Sequence, residues 1–201
     1  MVVKVHSLRE YFRDSLHSAL EHQQVSVGGE TEQYVVNLLT LFAHSDALFE
    51  QTADGARIRP LVVMLADALE AHSARERCAG LQRLGDVSLF VAGFFAQGFA
   101  RKLIDIDYHI AMGGRAYGTL SEAVRRSGRA ALGPVFGELA AKFQQMVDAL
   151  NEVSEAGYQY SDRDILRLYE VWLKTGSRRA ERLLSGLGVA PAAGAHSKFR
   201  H

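Results

Sequence analysis

Cysteine, proline and any excess of one charge are the scarcest features of this sequence. Cys78 is the only cysteine among 201 residues, which excludes an intramolecular disulfide and a four-cysteine zinc site. Only three prolines occur, and so few interruptions favour long elements. Lysine plus arginine and aspartate plus glutamate both total 23, so no net charge draws the chain to nucleic acid or to an acidic membrane. Neither is expected as a partner. The opening stretch MVVKVHSLREYF lacks the apolar core and small-residue cleavage site of a signal peptide. With the lone cysteine, this makes a soluble cytoplasmic protein the expectation.

Long apolar runs are missing too. The uncharged stretch Val87–Ala100 would span about 21 Å as a helix, short of the roughly 30 Å of a bilayer core. Arg101 and Lys102 close it, and Ser88 and Gln97 interrupt it. In a soluble chain a helix apolar on every side is the central one, wrapped by its neighbours.

Catalytic signatures are also absent. There is no Glu-x-x-His pair of a di-metal bundle, no His-Glu-x-x-His zinc helix and no Gly-x-Ser-x-Gly elbow. Asp14 and His17 only approximate the first. GGRAYG follows a helix rather than a strand, which makes it a weak nucleotide loop. No catalytic residue and no metal are therefore assigned, and the expected protein is not an enzyme.

What is present is helical periodicity. Ser7 and Glu10 form a capping box ahead of Leu8, Tyr11, Phe12, Leu16, Ala19 and Leu20. Paired glycines after Val27 should end that helix. A second starts around Thr31, with Tyr34, Val35, Leu38, Leu39 and Phe42 as its stripe. QTADGARIR reads as a loop, and Pro60 opens a third helix running to about Cys78. From Pro134 to about Glu155, apolar residues Phe136, Leu139, Phe143, Met146, Leu150 and Val153 alternate in steps of three and four, the seam of a bundle. Ser161 with Asp164 starts a last helix, its face Ile165, Leu168, Tyr169, Trp172 and Leu173. No period-2 strand stands out. The pattern predicts an all-α single-domain helical bundle of about six to eight helices around a buried central helix (87–100), over residues 1–190, with a flexible tail at 191–201.

The helix after Arg101 carries the residues of most chemical interest. Arg101, Lys102, Asp105 and His109 share one polar arc, and Arg101–Asp105 and Asp105–His109 are ordinary four-residue pairs. Asp107 instead points out of an apolar face among Leu103, Ile104, Ile110, Ala111 and Gly114. Arg83, Asp86 and Gln97 form a broken polar stripe on the preceding helix. Burial of Asp107 calls for a partner, with Arg83 the first choice and Arg115 or Tyr117 the others. The candidate ligand or buried polar network is thus Arg83, Asp86, Gln97, Asp107, His109, Arg115 and Tyr117. The double glycine Gly113-Gly114 either continues this helix or turns the chain.

Three functions fit. The first is a regulatory or scaffold protein that binds a protein partner or itself as a homodimer. It rests on the bundle seam and on an acidic segment 24–56 (Glu30, Glu32, Asp46, Glu50, Asp54) facing a basic end at 174–201. The second binds a small molecule beside Phe90, Phe94, Phe95 and Phe99, with haem as a variant in which His109 is the axial ligand and nearby glycines admit the flat ring. No cofactor is otherwise expected. The third is an enzyme using Asp107, His109 and Tyr117 as acid–base groups.

Overall fold

The computed structural model describes residues 7–43, 47–52, 55–94, 106–126, 132–154, 162–186 and 188–189. Helix α1 (Leu8–His22) begins as its sequence dictates. Ser7 Oγ accepts the Glu10 amide at 3.3 Å, and the Glu10 carboxylate accepts the Ser7 amide at 3.0 Å. It ends before the glycines, because Gln24 takes φ 58° and the Gln24 and Val25 amides turn back to the Glu21 and Leu20 carbonyls, a Schellman closure. Gly28 and Gly29 instead open α2 (Gly29–Phe42), whose N-cap residue offers no side chain. Glu138 supplies the missing acceptor from another helix, taking the Gly28 amide at 2.9 Å and the Thr31 hydroxyl at 2.6 Å.

The segment read as a loop holds a short antiparallel hairpin, β1 (Glu50–Thr52) and β2 (Gly55–Arg57). The expected third helix is two. Helix α3 (Leu61–Glu70) stops, and α4 (Ala74–Phe94) restarts because Ser73 and Glu76 form a second capping box, with both bonds at 3.1 Å. Arg77 donates to the Ala68 and Leu69 carbonyls and so satisfies the end of α3. Helix α5 (Ile106–Arg126) runs straight through Gly113-Gly114. Helices α6 (Gly133–Ala141) and α7 (Phe143–Ser154) divide the expected long helix at Lys142, where ψ reaches 22°. Then follow α8 (Asp162–Thr175) and α9 (Arg178–Gly186).

The fold is an all-α bundle, with α4 packed against α3, α5 and α7. Between Val87 and Gly93 every residue of α4 is buried, so the described part of the predicted central helix is central. Its remainder, 95–100, lies outside the described residues, as do 127–131 and 190–201. The one-residue break at Lys142 leaves the seam intact: Phe136, Leu139, Phe143, Met146, Leu150 and Val153 are all buried. Helices α8 and α9 share a smaller core of Trp172, Ala180 and Leu184. No described helix is long and apolar enough to cross a membrane.

Candidate functional site

Two neighbouring features stand out, a buried polar cluster and an open groove above it. The cluster centres on Asp86 of α4. Tyr117 of α5 donates to its Oδ1 at 2.6 Å, and Tyr34 of α2 donates to the same oxygen at 2.7 Å. Gln82, one turn earlier on α4, donates to the Tyr34 hydroxyl at 2.9 Å. Gly85 makes this geometry possible, since a methyl group there would stand 2.6 Å from Tyr117 Cε1. The Tyr117 ring lies against bare backbone, and its hydroxyl reaches the next residue.

Burial pushes the Asp86 carboxyl up to about 6, opposed by the two phenol donors and the nearby Arg83 guanidinium. Burial, and then the Asp86 charge, push both phenols far above the ordinary tyrosine range. The phenols therefore stay protonated as donors to Asp86, and the Tyr34 hydroxyl also accepts from Gln82. The cluster fastens α2 and α5 to α4.

Of the seven residues singled out from sequence, the structure brings Asp86 and Tyr117 into direct contact and sets Arg83 beside them. Asp107 is a correction. Its side chain is 42% exposed and faces Lys174 Nζ of α8 at 3.8 Å, rather than Arg83. The Arg83 guanidinium donates to the Leu48 carbonyl at 3.3 Å and lies 4.9 Å over the Phe42 ring. Tyr117 is committed to Asp86, and Arg115 is exposed. The acid–base trio of Asp107, His109 and Tyr117 therefore finds its phenol bonded to a different carboxylate. Gln97 lies outside the described residues, as do Arg101 and Asp105. Tyr34 was read only as part of an apolar stripe, although a buried phenol always calls for an acceptor.

His109 is half-buried, and burial lowers its imidazole to about 4. Its Nδ1 finds no hydrogen-bond partner among the described residues. The glycines expected to admit a flat cofactor beside it are occupied, since a methyl group on Gly113 would lie 2.2 Å from Phe143 Cζ and 2.7 Å from Ser88 Cβ. A haem face does not fit against Gly113. No group of three His, Cys, Asp or Glu side chains among the described residues is arranged to hold a metal. The expected pocket beside Phe90 and Phe94 is packed core. These rings stack at 5.2 Å, flanked by Phe42 and Phe12. Phe95 and Phe99 lie outside the described residues.

The groove lies further along α4, toward its N-terminus. It encloses about 1270 Å³ between the start of α4, the end of α5 and the start of α6. Val124 and Leu132 form its apolar floor, backed by the buried Leu120 and Phe136, and Gln82 is a polar residue of the lining. Phe136 joins groove to cluster, because Tyr117 stacks on its ring at 5.7 Å and Tyr34 meets it edge-on at 5.5 Å. The rim carries His72, Arg75, Arg77 and Arg126. Nothing in the sequence periodicity pointed here, because three separate helices contribute and the start of α4 was read as the interior of the third helix.

No protein-family model, curated protein or solved structure matches this chain.

Proposed function

We propose that this chain is a non-enzymatic, cytoplasmic binding protein that acts through protein–protein interaction, with the groove between α4, α5 and α6 as its docking face. The groove carries this reading. Its floor is apolar, and Leu132 at its edge is 46% exposed, whereas soluble proteins rarely leave large contiguous apolar concavities open without a use. Its size also matters. At about 1270 Å³ it exceeds the roughly 300–1,000 Å³ of pockets that enclose a small ligand. An amphipathic helix laid into a groove is a recurring mode for a surface of this shape.

A photo-cross-linking residue in place of Ala79, which lines the groove, tests this in cells of the source organism. The reading expects a discrete protein adduct, lost when Leu132 is changed to Ser. A second copy of this chain would appear as an adduct of twice its mass. Adducts unchanged by the Leu132 substitution would contradict the groove as the docking face.

A further inference from the structure

Resting on that docking reading, we infer that the partner is an acidic amphipathic helix, whose apolar face fills the groove and whose carboxylates meet its arginine rim.

The charge around the groove is one-sided although the chain is neutral overall. Arg75, Arg77, Arg126 and His72 line it, all exposed, and among the described residues no carboxylate does. Of the exposed acids next in sequence to the lining residues, Glu70 precedes Ala71, while Glu76 and Glu122 are engaged. Glu76 is folded back onto the Ser73 amide at 3.1 Å, and Glu122 reaches Arg126 at 3.5 Å. That second contact is between side chains 82% and 66% exposed, so it holds Arg126 weakly and an incoming carboxylate can displace it.

The Arg77 guanidinium bonds the Ala68 and Leu69 carbonyls, which fixes its position without a carboxylate partner among the described residues. Arg75 has no carboxylate partner among the described residues. A held cation near the end of α3 and exposed ones along the same rim favour several carboxylates spaced along a helix over a single anionic group. Guanidinium groups take carboxylates in paired, directional bonds. Gln82 offers a polar contact in the lining.

The test uses the full chain and two synthetic helical peptides of 18 residues. They share one leucine face and carry glutamates or lysines on its flanks. Fluorescence anisotropy at low salt should show the glutamate peptide binding at least about tenfold tighter than the lysine peptide, with that advantage falling several-fold in high salt. Changing Arg75 and Arg126 together to Glu should reverse the preference. Both are exposed, so the thermal melt should not move.

Equal binding of the two peptides, lost with Leu132→Ser, would overturn the charge inference and leave the docking face standing. Binding of neither peptide would overturn both. Occupation of the groove by dodecanoate, with neither peptide bound, would assign the site to a small amphiphile and overturn both as well.

Discussion

The Tyr117 hydroxyl donates to Asp86 Oδ1 across 2.6 Å, and it does so because residue 85 has no side chain. A carboxylate half-sunk in a core is tolerated only with donors in place. Tyr117→Phe removes one of the two phenols and should cost about 1–3 kcal/mol in urea unfolding. The Asp86 carboxyl sits at about 6 against an ordinary 3.8, so the folded state binds the proton more tightly than the unfolded one. The stability this gives is fully present below 3.8 and lost as pH rises through about 6. Asp148, also raised, adds to the same trend, so the comparison must be with Asp86→Asn. Wild type should gain stability relative to that variant as pH falls through this window. A difference that stays constant with pH would contradict the assignment.

Phe143 and Gly113 form a second matched pair, with the ring of one occupying the space a side chain on the other would need. Phe143→Ala should cost about 3–5 kcal/mol, as expected for an aromatic at 2% exposure. Gly113→Ala should cost about 1–3 kcal/mol by overpacking. Combined, the two should fall short of additivity by about 1 kcal/mol or more, because the cavity from one accepts the methyl of the other. Strict additivity in chemical denaturation would show that the two do not touch.

Asp148 of α7 is buried and accepts the Ser177 hydroxyl at 2.8 Å and the Gln144 amide at 2.9 Å. Ser177 also caps α9, its Oγ accepting the Ala180 amide at 3.1 Å. One hydroxyl thus joins the small α8–α9 core to the main one. Ser177→Ala should lower stability by about 1–3 kcal/mol. It should also speed amide exchange in α9 more than in α4. Uniform acceleration across both helices would argue against a local junction.

Among the described residues of the basic end, the printed partners lie on other helices. The contacts seen run from Lys174 to Asp107 and from Arg179 to Asp148, on α5 and α7. Of the acidic segment, Glu32 binds His17 at 3.1 Å and Glu50 reaches Arg59 at 3.5 Å.

Period and caps made the helices legible. The spacing of Phe136, Leu139, Phe143, Met146, Leu150 and Val153 named buried positions even across the break at Lys142, since the Lys142 amide still reaches the Glu138 carbonyl and the Met146 amide the Lys142 carbonyl, which keeps the helical register. The Ser7–Glu10 box marked the start of α1, whereas the same pattern at Ser73 and Glu76 lay within a run of good helix formers and passed unmarked. Asp86 and Tyr117 were visible as polar residues on apolar helices. Their pairing was not, because it joins residues 31 apart in sequence through a gap left by Gly85. Asp107 misled for a related reason: its own helix has an apolar neighbourhood, but α8 brings Lys174 across it. Side-chain period reports a residue's own helix and is silent about what a later one brings.

The most direct test of the groove as a binding face uses Cys78, the sole cysteine, which lines the groove and is half-buried. The rate at which a small neutral thiol reagent modifies it reports access to the groove floor. The account predicts measurable reaction in the free protein and at least about tenfold slowing when the acidic helical peptide is bound, as expected for a covered groove. An unreactive thiol in the free protein would mean that the chain covers its own groove. A rate unchanged at saturating peptide would place the peptide elsewhere. Either result would contradict the account.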